Sequence, residues 1–259
     1  MNNYTHLNAQ TIDRWIDDGW IWGQPITPPD CDKVRQGDWN VLLTPTRPVP
    51  KDWFLPFKNT KILGLASGGG QQMPVFSLLG ANCTVMDLSD KQLESERMVS
   101  TREGYDIDIV KADMTQPFPF ADASFDLIFH PVSNCYIEDV YHLWRECHRV
   151  LKPGGVLLAG MDNGINYLFD DDDAGKPLTI TNTLPYNPLK NPELMKKLDL
   201  EDDGIQFSHT FDEQIGGQLK AGFVITGAYE DYNGHPTDGL ATVAASIPTF
   251  WATRAVKPQ

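Results

Sequence analysis

Long apolar runs are missing from this chain. No stretch of its 259 residues approaches the roughly 20 apolar residues that a membrane-spanning helix needs, so membrane insertion is not expected. Cysteine is scarce: Cys31, Cys83, Cys135 and Cys147 show neither a CxxC nor paired spacing. That argues for free thiols in a reducing compartment, with Cys83 in a strand and Cys147 in a helix. Positive charge is short as well. Twenty-one Lys and Arg face 35 acids, a net charge of −14, and no basic patch interrupts the balance. Such a surface repels phosphate backbones, which excludes nucleic acid as the expected partner. The first residues are polar and lack a basic start followed by an apolar run. The expectation is a cytoplasmic protein without a secretory signal. Asp170–Asp173 is a run of acids without the alternating ligands and glycine of an EF-hand. It reads as a solvated loop, and no metal is expected.

Enough apolar residues remain, 41% of the chain, to bury one large core. The most informative stretch is Lys61-Ile-Leu-Gly-Leu-Ala-Ser-Gly-Gly-Gly-Gln-Gln72. Ile62 to Ala66 reads as a short buried strand. It stops on Ser67, Gly68, Gly69 and Gly70, ahead of a helix-compatible segment. A strand ending on glycines before a helix exposes backbone N–H groups with no Cβ atoms to obstruct a ligand. Tight turns are also rich in glycine, so the loop alone leaves a ligand loop and a structural turn both open.

The following runs favour a ligand loop. Ala81-Asn-Cys-Thr-Val-Met-Asp87 ends in an acid 17 positions after Gly70. In a strand–helix–strand unit this places Asp87 at the carboxyl end of the neighbouring strand, where its oxygens can accept from both hydroxyls of a ribose. Ile107 to Asp113 ends in another acid. Phe125 to Phe129 ends at His130-Pro131, and Arg149-Val-Leu-Lys-Pro-Gly-Gly155 runs into Val156 to Ala159. Five strands with ligand-type residues at their ends describe one crevice.

With these residues the sequence resembles the class I S-adenosylmethionine-dependent methyltransferases, strongly over residues 55–160 and more weakly to the C-terminus. Ile62–Gly70 is similar to the family's glycine-rich first motif, Asp87 to its ribose-binding acid, Ala112-Asp113-Met114 to its adenine-flanking motif, and Arg149–Gly155 to its turn before the fifth strand. Gly64 stands where an acid is usual, and Ala66 replaces the first loop glycine. The resemblance implies S-adenosyl-L-methionine as cofactor and S-adenosyl-L-homocysteine as product. It implies a cofactor site of Ala66, Ser67, Gly68, Gly69, Gly70, Gln72, Asp87, Leu88, Ala112, Asp113, Met114 and His130. It further implies an α/β, Rossmann-like doubly wound sheet of seven strands in the order 3-2-1-4-5-7-6, with the seventh antiparallel. A dinucleotide fold fits less well: with Gly68 and Gly70 as the first glycines of G-x-G-x-x-G, the third place falls on Met73.

Residues 1–55 form an aromatic arm before a methyltransferase domain over 56–259, in which 161–215 is a substrate-cap insert before the sixth strand. In the arm, Ile12, Trp15 and Ile16 have helical spacing, with Thr11 as N-cap and Gly19 as stop. A proline-rich irregular segment with Trp20, Trp22 and Trp39 follows and must lie on a surface, either as packing or as a lid. Ile137–Val150 reads as an amphipathic helix burying Val140, Leu143, Trp144 and Cys147, with His142 and His148 exposed or at its boundary. The last strands are expected at Phe223–Ala228 and Thr249–Ala255.

Catalysis of this kind consists chiefly of aligning a nucleophile with a methyl–sulfur bond and excluding water. His130 is the candidate base, at the end of strand four with an ordinary pKa near neutrality. Against that stands a purely loop-forming role beside Pro131. His235 is a second candidate. His130-Pro-Val-Ser133 is not the Asn/Asp-Pro-Pro-aromatic motif of amino-group methyltransferases. The expected partner is therefore a small molecule methylated on oxygen or carbon, similar to the ubiquinone/menaquinone-biosynthesis branch. Two alternatives stand beside this reading: a non-catalytic binder of the cofactor or its product, and a nicotinamide-dependent oxidoreductase.

Overall fold

A computed structural model describes residues 4–169, 178–198, 203–234 and 241–259. Asp170–Asp173 and His235 lie outside them. The apolar runs become β1 Lys61–Leu65, β2 Asn82–Asp87, β3 Asp108–Lys111, β4 Phe125–His130, β5 Leu151–Asp162, β6 Val224–Asp231 and β7 Phe250–Val256. They form one sheet in the order β3-β2-β1-β4-β5-β7-β6. Strands β1 to β5 pair in parallel, and β7 runs antiparallel between β5 and β6. Both the order and the antiparallel strand are as expected. The chain leaves β1 toward β2 on one side and resumes toward β4 on the other, so the loops diverge at the carboxyl ends of β1 and β4. Ligands of doubly wound sheets bind at such a point.

The helices are α1 Tyr4–Asp17, α2 Pro28–Arg35, α3 Gln72–Leu78, α4 Asp90–Glu103, α5 Val140–Val150, α6 Pro192–Lys197, α7 Gly217–Lys220 and α8 Ala241–Ser246. Alternate strand residues feed two cores, because successive side chains point to opposite faces. Ile62, Val85, Leu127, Phe129 and Leu158 pack on Phe76 of α3 and on Val34, Val41, Leu43, Val49 and Trp53 of the arm. Leu63, Leu65, Ile128, Leu157 and Met161 pack on Leu143, Trp144 and Cys147 of α5. The buried face of α5 is the one the sequence predicts. All four cysteines are free and buried.

The arm departs from expectation in two places. Helix α1 begins at Tyr4, so Thr11 is not an N-cap but a fully buried mid-helix residue, packed beside Gly204. The polar, poorly apolar first turns hid this start, because tertiary contacts rather than periodicity hold them. Gly19 does stop the helix, with φ +90 and its N–H on the Ile16 carbonyl. The proline-rich segment holds α2, capped by the Thr27 side chain, with Pro28 and Pro29 in the first turn, where a missing N–H costs nothing. Among the described residues no helix is long and apolar enough to cross a membrane.

Candidate active site

Beyond the carboxyl ends of β1 to β5 lies a crevice of about 1670 Å³. Single-ligand pockets usually span roughly 300–1,000 Å³, so this one has room for two molecules. Of the residues predicted from sequence, Ala66, Ser67, Gly68 and Gln72 line it on the β1 loop, Asp87 and Leu88 after β2, and Ala112, Asp113 and Met114 after β3. The structure therefore brings these nine together.

Gly69, Gly70 and His130 are not among the lining residues. The two glycines face α4 instead: a Cβ on Gly69 would lie 2.3 Å from the Gln92 side chain, and one on Gly70 would lie 2.7 Å from Val99. Both have positive φ. Their role here is to let the loop lie against the helix. Gly68 N–H donates to Asp87 Oδ2 (3.1 Å), Gly69 N–H to the Gln92 carbonyl (2.9 Å) and Gly70 N–H to Glu96 Oε1 (2.8 Å). Three loop N–H groups are thus spent within the protein rather than left for a ligand.

Glu96 was not legible as a site residue. It is fully buried on α4, and burial pushes its pKa up to about 8, opposed by the Gly70 N–H. At neutral pH it is a neutral acid that accepts from the loop. Gly64 stands where the family usually has an acid, and its space is taken by Met73: a Cβ there would lie 2.4 Å from the Met73 sulfur, so that side chain would have to move. The loop takes its carboxyl from α4 instead. Ala66 sits at φ 46, a left-handed conformation that costs a residue with a Cβ on the order of 1 kcal/mol.

Asp87 accepts from Gly68 N–H on Oδ2, and from Leu88 N–H (2.8 Å) and Ser89 N–H (3.1 Å) on Oδ1. Burial raises its pKa and these three donors oppose the rise. Asp113 accepts on Oδ1 from the N–H and hydroxyl of Thr115 (2.8 and 2.7 Å), and on Oδ2 from the Thr5 hydroxyl (2.7 Å). A carboxylate offers about four lone-pair positions. Each aspartate therefore keeps one for a ligand, on the oxygen that bears a single donor.

Thr5 belongs to the arm, whose helix α1 crosses above the β2 and β3 ends. Asp13 accepts from the Ser89 hydroxyl and from Lys91 N–H at the start of α4. Asn8 exchanges two hydrogen bonds with the backbone of Ile205 in the insert. The Gln71 side chain donates to the carbonyls of Ile21 and Gln24, and Ile26 N–H to that of Gly70. Trp15, Trp20, Trp22 and Trp39 line the crevice. The arm is at once core and crevice wall.

His130 is fully buried at the end of β4. Its Nδ1 lies 2.9 Å from the Leu65 carbonyl, which fixes the proton on that nitrogen, and its Nε2 is enclosed without a partner. Burial pushes its pKa down to about 4. A base must reach the proton it takes, and this ring is shut away from the crevice, whose wall here is Pro131, Val132 and Ser133. His142 and His148 sit half-buried at the edge of α5 as expected.

A methyltransferase domain family matches residues 63–159. Over 99% of this chain and 100% of its own length, an uncharacterized methyltransferase of Bacillus subtilis (strain 168), YbaJ, is 40% identical. A ubiquinone biosynthesis O-methyltransferase of Maricaulis maris is 24% identical over 44% of this chain and 45% of its own. Among solved structures, an S-adenosylmethionine-dependent methyltransferase from Mesorhizobium loti covers 80% of this chain and 94% of its own, with TM-score 0.59 and 23% identity. At that identity the likeness is one of fold.

Proposed function

The chain belongs to the class I S-adenosylmethionine-dependent methyltransferases, and from that premise we propose that it methylates a small molecule on oxygen or carbon. One observation carries the small-molecule reading: the acceptor must share a crevice of about 1670 Å³ that the arm and the insert wall in. When bound, S-adenosylmethionine supplies a sulfonium methyl group that is electrophilic without further activation.

The residues of the crevice suit such a cofactor. Asp87 would accept from a ribose hydroxyl and Asp113 from the adenine amine, each through its one open lone pair. Ala66, Ser67 and Gly68 would pack the methionine portion, with Gln72, Leu88, Ala112 and Met114 around it. Gly69 and Gly70 would act through the shape of the loop. The described lining carries six aspartates and two lysines, a field that favours a cation such as a sulfonium. The aromatic arm would exclude water, which keeps these interactions strong.

The test is calorimetry with S-adenosylhomocysteine. Hydrogen bonds to a charged partner contribute roughly 1.5–3 kcal/mol, so Asp87→Ala should weaken binding tenfold or more. Unchanged affinity in a variant that retains its circular dichroism would remove Asp87 from the site.

For His130 we propose a positioning role, pinning the Leu65 carbonyl to the end of β4. His130→Asn then loses stability, by about 1–3 kcal/mol for the orphaned buried carbonyl, and its rate profile between pH 5.5 and 8.5 keeps the wild-type shape. Loss of an acidic limb in that profile would restore the ring as a base.

A further inference from the structure

The acid that closes β5, Asp162, has no role so far beyond its share of the crevice's negative charge. Its side chain is 6% exposed, and it lines the crevice. Adenine and ribose at the β3 and β2 ends and methionine at the β1 loop leave the β4 and β5 ends for an acceptor. Asp162 lies there, two strands from β1 and so about 10 Å across the sheet.

The surroundings of Asp162 are built. Oδ1 accepts from Gly164 N–H and Oδ2 from the Asn166 side-chain amide at 3.1 Å. Each oxygen keeps a lone pair. The backbone is fixed from below by buried amides: Gln214 donates to the Asp162 carbonyl (3.4 Å), Asn134 to Gln214 Oε1 (2.7 Å), and Gln218 to the Gln214 carbonyl (3.1 Å). Gln214 sits in a π-helical turn, Asp212–Gly216, a wide turn often found at functional sites. Tyr167, close enough to feel the Asp162 charge, stacks on Tyr186 with ring centroids 5.1 Å apart, both on the crevice wall, and donates its hydroxyl to Gln206 (2.8 Å).

We propose that Asp162 is the acceptor-binding carboxylate and proton acceptor of this enzyme, and that the acceptor is an uncharged or cationic phenol or enol, with anionic acceptors excluded. This rests on the cofactor reading above. The acceptor donates its O–H to Asp162 and lies against the tyrosine pair. In the transfer, the O–H bond breaks toward the carboxylate as the oxygen bonds the methyl carbon. The electron pair of the methyl–sulfur bond stays on sulfur, and the proton later leaves Asp162 to water. Burial pushes the Asp162 pKa up to about 7, opposed by Gly164 and Asn166, which suits a base working near neutrality. The titratable groups interacting with its charge are Cys135 and Tyr167, whose own pKa values are raised by burial.

The experiment is calorimetry of the full chain loaded with S-adenosylhomocysteine, titrated with tyramine, catechol and 4-hydroxybenzoate. Tyramine and catechol should bind at least tenfold more tightly than the carboxylate probe, and Asp162→Asn should erase the preference while keeping wild-type affinity for S-adenosylhomocysteine. No binding by any of the three, an equal or reversed preference, or a preference that survives in Asp162→Asn overturns the proposal. Loss of S-adenosylhomocysteine binding by the wild-type protein would instead overturn the cofactor reading.

Discussion

Gly160→Val should unfold the protein or leave it barely stable, and Gly160→Ala should cost about 2–5 kcal/mol, from overpacking plus a lost buried hydrogen bond. Gly160 lies in β5, where the arm crosses the sheet. A Cβ there would sit 2.0 Å from the Leu43 carbonyl oxygen, 2.8 Å from its carbon and 3.2 Å from Val132 N. These are backbone atoms, and no rotamer relieves them. Leu43 is buried in the core, and its carbonyl accepts from Val132 N–H at 3.1 Å. Making room would break that bond and move a wall shared by Leu43, Thr44 and Val132. Total stabilities of roughly 5–15 kcal/mol leave little margin for such a loss. Urea unfolding measures it, with Gly216→Ala as control. Gly216 has helical φ and ψ and nothing closer than 3.9 Å to its Cβ position, so alanine there should be neutral or stabilising by up to ~1 kcal/mol. Equal stability of Gly160→Ala and wild type would mean that the crossing is not held as described.

The second large effect concerns Glu96. Its folded pKa of about 8 stands above the ordinary value of 4.5. Below about pH 4.5 both folded and unfolded states carry the proton. Between 4.5 and 8 only the folded state does, so this group's contribution to stability falls as pH rises and levels off above 8. A shift of this size amounts to about 4–5 kcal/mol. His130 acts oppositely at lower pH: its pKa falls from 6.5 to about 4, so it adds stability as pH rises through that window. The clean observable is therefore a difference. The stability of Glu96→Gln minus that of wild type should grow from pH 5 to pH 8.5 and then stay level. Glutamine keeps an acceptor for Gly70 N–H and cannot ionise. Glu96→Ala should instead orphan that N–H, loosen the loop and weaken S-adenosylhomocysteine binding. A pH-independent difference between Glu96→Gln and wild type would show that Glu96 is ionised in the folded protein.

Prediction from sequence succeeded where the signal is local. Apolar runs with glycines and acids at their ends marked the strands, and Asp87 and Asp113 stand at strand ends where the spacing placed them. Asp162 carried the same signal, since Val156 to Met161 is an apolar run ending in an acid. Gly160 interrupts that run after Ala159. That glycine marks the crossing of Leu43, a contact from the other end of the chain that no local pattern reports. The start of α1 was missed for a related reason: Thr5, Asn8 and Asp13 are polar, and their partners lie in α4, the β3 loop and the insert.

The sequence by itself determined the strands and the motifs that carry the family resemblance, because strand period, turn chemistry and motif spacing are short-range properties of the chain; the strand order was what that resemblance implied. The tertiary structure alone decided which of the motif's residues face the ligand. Side chains alternate across a strand, so one step of register separates a wall residue from a core residue. At the end of β4 that step puts His130 in the core and Pro131 on the crevice. At the β1 loop the packing of α4 turns Gly69 and Gly70 inward and leaves Gly68 at the site. The same packing supplies a buried carboxyl, Glu96, to a loop whose own strand has Gly64 and the Met73 side chain in that place.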